Sequence, residues 1–358
     1  MSVSTVQLEG SAGFDGGESY RIDRQPFHFR EANRFSNQVR WARWLTTFAK
    51  HGVNVIHCGN IRPVGYAVAW SATRLDIPYI VYVNGGDLLR EKKKAKASAL
   101  KRATAKRILG GASGIAATSK WVGDLTREVM ELVGVDAVPP IGSFDLGTDP
   151  DTFSPSNDSG KLRAIWGTGG DPLMLTVARL VPHKGQDTGI RVLAKLKPEC
   201  PSLRYVLVGD GHYEESLRKL AAELGVADSV IFAGALSDAD LPEAYATSTI
   251  YIGPSRVDNE INVEGFGISF LEASSSGLPV VAGDSGGVRS AVRDGETGLI
   301  VSPTDVNAIA DAVASFLRDH DKMQSFGEAG RRAVETHYNW DRVARDTREF
   351  AVSVAGRK

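Results

Sequence analysis

The chain has 358 residues, enough for two domains with sizeable cores. Lys and Arg total 42 against 43 Asp and Glu, and the net charge of −1 excludes the basic balance of a general nucleic-acid binder. Hydrophobic residues at 42% and charged residues at 24% fit a soluble globular protein and are too apolar for disorder.

Taken from the N-terminus, MSVSTVQLEGSAGFDGG has no apolar h-region, so no signal peptide is expected. The first fifteen or so residues show no strand pattern, and the first predicted strand is the short SYRI near Tyr20. GFDGG (Gly13–Gly17) follows no strand and reads as a flexible terminus. Helix and strand patterns then alternate: helix Asn37–Lys50, strand Val53–His57, helix Pro63–Leu75, strand Tyr79–Val83, helix Leu88–Leu109, strand Gly114–Thr118 and helix Lys120–Val133. GTDPDTFSPSNDSG (Gly147–Gly160) has the composition of a linker, which places a first domain over 1–150 and a second over 151–339.

The second half alternates more regularly. Predicted strands are Leu173–Leu180, Arg204–Gly209, Ser229–Ala233, Ile250–Gly253, Pro279–Ala282 and Gly298–Val301, with helices such as Tyr213–Leu224 and Leu241–Ala246 between them. Strands that are apolar throughout, separated by helices, mean a parallel sheet covered on both faces, a Rossmann-like domain. The fold class is therefore α/β. No run of apolar residues reaches the ~18 needed to span a bilayer. The two cysteines, Cys58 and Cys200, form neither a disulfide framework nor a Cys-based zinc site, and a reduced, cytoplasmic setting is expected.

Three stretches carry candidate chemistry. In VEGFGISFLEASSSG (Val263–Gly277), Glu264 and Glu272 flank a GFG turn that opens a helix. Free N–H groups at such a helix start favour an anion, while carboxylates accept from paired sugar hydroxyls. From the residues alone, a simple turn and a solvated Glu272 fit equally well. In LMLTVARLVPHKG (Leu173–Gly185), Arg179 and Lys184 follow a strand at the end where open α/β sheets bind ligands, and the pair suits a diphosphate. A surface Arg and Lys is the plainer reading. In VLVGDG (Val206–Gly211), Glu214 stands where a dinucleotide fingerprint needs its third glycine, which weakens a nicotinamide reading.

The order and spacing of these motifs resemble the nucleotide-sugar domain of glycosyltransferase family 4, the retaining GT-B enzymes. The resemblance rests on ARLVPHKGQD (Ala178–Asp187), VGDGHYEESLR (Val208–Arg218), FAGAL (Phe232–Leu236), VEGFGISFLEASSSGLPVVAGDSGGV (Val263–Val288) and DGETGLIV (Asp294–Val301). It is looser in HCG (His57–Gly59), VNGGDL (Val83–Leu88), ATSKW (Ala117–Trp121) and GTDPDTF (Gly147–Phe153). RLVPHKGQD with NVEGFGISFLEA is most similar to bacterial mannosyltransferases that use GDP-mannose to extend phosphatidylinositol mannosides.

The resemblance implies a GT-B architecture, two Rossmann-like domains facing a cleft, with the final helix (340–358) returning to the first domain. It implies that Arg179 and Lys184 hold the diphosphate, that Glu264 binds donor-sugar hydroxyls beside the Phe266–Gly267–Ile268 backbone, and that Glu272 binds the ribose. Gly209 and Gly211 would give room to the nucleotide, and the backbone near Gly234 would meet the base. No cofactor or metal is implied, since two cations and a helix start already face the leaving diphosphate. Asp149–Asp151 and Asp238–Asp240 form D-x-D triplets that read as linker and helix cap.

Two departures from the family pattern stand out. Asn84 occupies the position where many members carry a histidine, leaving Asn84 and Asp87 as candidate sugar or acceptor contacts. The opening strand, Gly-rich loop and helix are not found, so the first domain is expected to lack that unit. Leu88–Arg107 carries nine Lys or Arg and one acid, a net +8 that could lie against anionic lipid, placing the chain at the inner face of the plasma membrane. A solvated helix face is the plainer meaning of the run. The expected activity is transfer of a hexosyl group, mannosyl favoured, from GDP-mannose or a UDP-hexose to a lipid-linked or glycan acceptor, with no nucleic-acid partner. The competing readings are a non-catalytic nucleotide-sugar-binding partner subunit and a GT-B-fold epimerase.

Overall fold

The computed structural model describes residues 1–7, 17, 19–28, 31–32, 34–50 and 52–356. Most of GFDGG lies outside the described residues. The contact pattern divides the chain into two units. The first comprises Met1–Ala117, Val122–Ser143 and Thr347–Lys358, and the second Thr118–Trp121 and Phe144–Asp346. The division thus falls at Ser143/Phe144, ahead of the Asp- and Pro-rich stretch.

The second unit is built on a six-stranded parallel sheet. The first unit holds β1 (Ser2–Gln7), β2 (Arg21–His28), β3 (Ile56–Cys58), β4 (Tyr79–Val83), β5 (Gly114–Ala117) and β6 (Ile141–Ser143). The second holds β7 (Leu173–Val177), β8 (Arg204–Val208), β9 (Val230–Gly234), β10 (Ile250–Gly253), β11 (Val280–Gly283) and β12 (Gly298–Val301). Their order across the sheet is β12-β11-β10-β7-β8-β9. This is the doubly wound arrangement in which the direction of winding reverses between the first and fourth strands.

Period-two geometry explains why these strands are apolar throughout. Leu173, Leu175, Val206, Val208, Tyr251 and Val280 enter one core. Met174, Tyr205, Leu207, Ile250, Ile252 and Val281 enter the other. Helices close each face: Gln186–Leu196, Glu214–Glu223 and Val306–Arg318 over the second core, and Leu241–Ala246 and Ile268–Ser275 over the first.

The first unit contains a four-stranded parallel sheet in the order β3-β4-β5-β6, without reversal among the described residues. Close packing sets its composition: a Cβ on Gly114 in β5 would lie 2.9 Å from the Phe350 ring. Two expectations are corrected here. Ser2–Gln7 is a strand, paired in parallel with β2 in a separate two-stranded sheet. Its Ser- and Thr-rich sequence hides the alternation. The basic run is also not one helix: α1 of that segment, Gly85–Ala97, ends at Ser98, and α2, Ala99–Gly110, begins there. Ser98 is extended and its side chain accepts from the Lys101 amide at 3.4 Å, the geometry of an N-cap. Among the described residues no helix is long and apolar enough to cross a membrane.

Candidate active site

The reversal point of the six-stranded sheet lies between β7 and β10. Ligand crevices in doubly wound sheets open there, outside the carboxyl ends of the strands. Both charged motifs occupy those ends. The turn after β7 carries Arg179 and Lys184, and the loop after β10 carries Glu264.

Lys184 and Glu264 meet, with Nζ 2.6 Å from Oε2. Their side chains are 20% and 13% exposed, so the pair is shielded but still open to a ligand. Ser255 Oγ donates to the same carboxylate oxygen at 3.4 Å. Arg179 is exposed and has no carboxylate partner among the described residues. One cation of the motif is thus engaged with the opposing carboxylate and the other is held out toward solvent.

Glycine sets how closely these turns approach one another. A Cβ on Gly209 would lie 2.2 Å from the Ala178 carbonyl oxygen, and one on Gly211 2.1 Å from that of Leu180. The space these glycines make is filled by the turn after β7, which the Ala178 and Leu180 amides tie to Val208 and Asp210. Gly234 ends β9, and its carbonyl accepts from the Gly209 amide at 2.8 Å. On the other side, the Gly287 amide donates to the Glu264 carbonyl at 2.8 Å, and a Cβ at Gly286 would lie 2.2 Å from that oxygen. Two glycines therefore seat the Glu264 backbone.

Gly267 takes a φ of 99° and opens helix Ile268–Ser275 without a side-chain cap. Phe266 is 3% exposed and belongs to the core, so only its backbone is offered to a ligand. Glu272, four residues into that helix, accepts from the Tyr245 hydroxyl at 2.5 Å. Burial pushes the Glu272 carboxyl above the usual carboxylate range, and the Tyr245 bond opposes this. Burial and the neighbouring carboxylate drive the Tyr245 phenol well above its ordinary value. His183, beside Lys184, is pushed down by burial first, then by the Lys184 charge; Glu264 opposes the shift.

Asn84 and Asp87 are placed differently. They lie in the first unit as a helix cap. Asn84 Oδ1 accepts from the Asp87 amide at 3.0 Å, and Nδ2 donates to Asp87 Oδ2 at 2.8 Å. Arg90 completes the cluster, 2.7 Å from Asp87 Oδ1. Of the D-x-D triplets, Asp149 bonds its own turn at Asp151 and Thr152, and Asp240 pairs with Lys161 at 2.6 Å. Among the described residues no group of three or more His, Cys, Asp or Glu is arranged to hold a metal ion.

Within the basic segment, Arg90, Lys94 and Lys106 have carboxylate partners in Asp87, Glu91 and Asp136, and Lys92 has one in Glu128. Lys93, Lys96, Lys101, Arg102 and Arg107 are exposed without such partners among the described residues. Leu100, in the first turn of the second helix, is 75% exposed. Sequence reasoning singled out neither Tyr245 nor Arg256. Both act through side-chain contacts far away in sequence, and no local motif marks them.

Comparison with known proteins defines the class. Residues 158–333 match the family described as glycosyl transferases group 1, and residues 8–139 match a glycosyl transferase 4-like domain. Together the matches span most of the chain, and the chain belongs to this glycosyltransferase family. The fold is GT-B. It is similar, with a TM-score of 0.77 at 19% identity, to Anabaena Alr3699/HepE in complex with UDP and glucose, over 98% of this chain and 91% of that one. Sucrose-phosphate synthase from Thermosynechococcus elongatus gives 0.75 at 19% identity, over the full length of both chains.

Among curated relatives, the GDP-mannose-dependent alpha-(1-6)-phosphatidylinositol monomannoside mannosyltransferase of Mycobacterium tuberculosis is 40% identical over 206 residues. The match covers 57% of this chain and 54% of that protein. A D-inositol 3-phosphate glycosyltransferase of Acidothermus cellulolyticus is 35% identical over 248 residues, 66% of this chain and 53% of that protein. The chain spans about half the length of the curated relatives it matches.

Proposed function

We propose that this chain carries the donor chemistry of a retaining glycosyltransferase that moves a mannosyl group from GDP-mannose to a lipid-linked acceptor. The observation that carries the reading is the Lys184–Glu264 pair at the reversal point of the sheet, beside an uncapped helix start. A nucleoside diphosphate entering there finds Lys184, the solvent-facing Arg179 and the free amides of the helix. As the bond from the sugar C1 to the diphosphate oxygen breaks, negative charge builds on the diphosphate, and these preorganised groups lower the barrier. Lys184 turning to the phosphate frees Glu264 to accept from sugar hydroxyls. Glu272 would accept from the ribose. The acceptor oxygen bonds to C1 and passes its proton to the departing phosphate. With two cations and a helix start facing the diphosphate, this scheme routes no step through a metal.

The choice of mannose and of a phosphoinositide-type acceptor rests on the similarity to the mycobacterial relative. The exposed cations without carboxylate partners around Leu100 support contact with an anionic lipid surface. A second reading, a nucleotide-sugar-binding partner subunit without catalysis, is favoured by one observation: Asn84 is spent as a helix cap and cannot act as a base. Calorimetry with GDP-mannose and UDP-glucose, followed by nucleotide release with and without phosphatidylinositol mannoside, separates the two. Acceptor-dependent GDP release supports transfer, and binding without release supports the partner subunit.

A further inference from the structure

Arg256 lies three residues beyond the end of β10, and its side chain ties its own loop to the segment that follows Lys184, far away in sequence. Nη1 donates to Asp187 Oδ1 at 2.9 Å and Nη2 to Asp187 Oδ2 at 3.1 Å, a two-pronged ion pair. Nη1 also reaches Thr188 Oγ1 at 3.3 Å. Burial raises the Tyr213 phenol above its ordinary value, and the nearby Arg256 charge opposes the rise. The Arg256 amide donates to the His183 carbonyl at 2.8 Å.

His183, Asp187 and Thr188 surround the turn that presents Lys184. Tyr213 follows the glycine turn after β8, and its amide bonds the Leu180 carbonyl at 3.1 Å. Arg256 itself follows Ser255, whose hydroxyl reaches Glu264. The turn bearing Lys184 is further pressed onto the Arg256 segment at Gly185, where a Cβ would lie 2.0 Å from the Pro254 carbonyl oxygen. The Arg256 and Asp187 side chains are 21% and 19% exposed, enclosed by the turns they join. A planar fork suits this position because it fixes direction as well as charge, which an ammonium does not.

We infer that Arg256 is a positioning residue of the donor site: by clamping Asp187 and Thr188 it fixes the Lys184 turn against the Glu264 loop. It acts through these neighbours. The inference rests on the donor-site reading given above. Preorganised charge is effective because it needs no rearrangement when the ligand arrives. Loosening the clamp therefore weakens diphosphate binding even though both Lys184 and Glu264 remain.

The test is calorimetric titration of the full chain with GDP and with UDP, comparing wild type with Arg256→Gln, Asp187→Asn, the double variant and Arg256→Lys. Circular dichroism and thermal melting show which variants are folded. The two single variants remove the same clamp from opposite sides, so one of them suffices if the other does not fold. The expected result is roughly tenfold weaker affinity for the preferred nucleotide in each single variant, with the double variant no worse than either. Arg256→Lys should recover part of the loss. Wild-type affinity in folded Arg256→Gln or Asp187→Asn, with only the melting temperature lowered, would overturn the inference while leaving the donor site standing. A wild-type chain that binds neither nucleotide would overturn the donor-site reading and this inference with it.

Discussion

The candidate donor site of the second unit and the Asn84 cluster of the first satisfy their polar groups over very different sequence distances. In the second, Lys184 reaches Glu264 80 positions away, Arg256 reaches Asp187 69 away and Tyr245 reaches Glu272 27 away. In the first, Asn84 and Asp87 bond each other three positions apart, and Arg90 joins from the same turn. Long-range pairs can exist only when the sheet brings strand ends together. They therefore fail as a group if one turn shifts. Local caps form wherever their helix forms and leave the rest of the surface unconstrained. The difference separates a preorganised candidate site from a surface whose exposed cations remain available.

Removing a long-range partner should cost most. Lys184→Gln should lower the turnover of sugar transfer by about 10²–10³-fold, the usual cost of losing one preorganised charge-stabilising donor. Steady-state kinetics of nucleotide release reads it directly. A drop of less than threefold would place the diphosphate elsewhere.

The first unit should respond at a lipid surface instead. Lys93→Glu, Lys96→Glu and Lys101→Glu together should weaken sedimentation with phosphatidylglycerol vesicles by roughly 10²-fold, at ~1 kcal/mol for each cation lost near the surface. GDP affinity in the same variant should stay at the wild-type value. Equal vesicle binding before and after reversal would remove the membrane role.

A smaller effect sharpens the role of Glu272. Its carboxyl is raised by burial, so it takes up a proton as pH falls through a value above the ordinary carboxylate range. If the carboxylate accepts from the ribose, nucleotide affinity is full above that value and declines below it. Tyr245→Phe removes the bond that favours the charged form, so the decline should begin at higher pH. Superimposable affinity profiles for wild type and Tyr245→Phe would separate Glu272 from nucleotide binding. The smallest effect belongs to the local cap. Asn84→Ala should cost about 1 kcal/mol of stability, seen in denaturant unfolding, with GDP affinity unchanged.

What the sequence reveals follows the same division. The strands of the second unit were legible because both faces of that sheet are buried, leaving fully apolar runs such as Ile250–Gly253 with bounds that match. The glycines at 209, 211, 286 and 287 lie within the motifs quoted, but the backbone each one admits is visible only in three dimensions. The Ser2–Gln7 strand was not legible because Ser and Thr alternate with only two valines. The break at Ser98 was hidden because a run of lysines carries no apolar period to interrupt. Glu264 and Lys184 were marked by motif. Arg256 was not, since an arginine in a loop gains meaning only from the carboxylate it meets.

The central claim is that Lys184 and Glu264 sit where a nucleoside diphosphate sugar binds. Calorimetric titration of the full chain with GDP-mannose, UDP-glucose and GDP, in wild type and Lys184→Gln, tests it most directly. Saturable wild-type binding, tighter for GDP-mannose than UDP-glucose and lost or at least tenfold weaker in folded Lys184→Gln, is the predicted result. Undiminished binding in Lys184→Gln, or none in wild type, would contradict it.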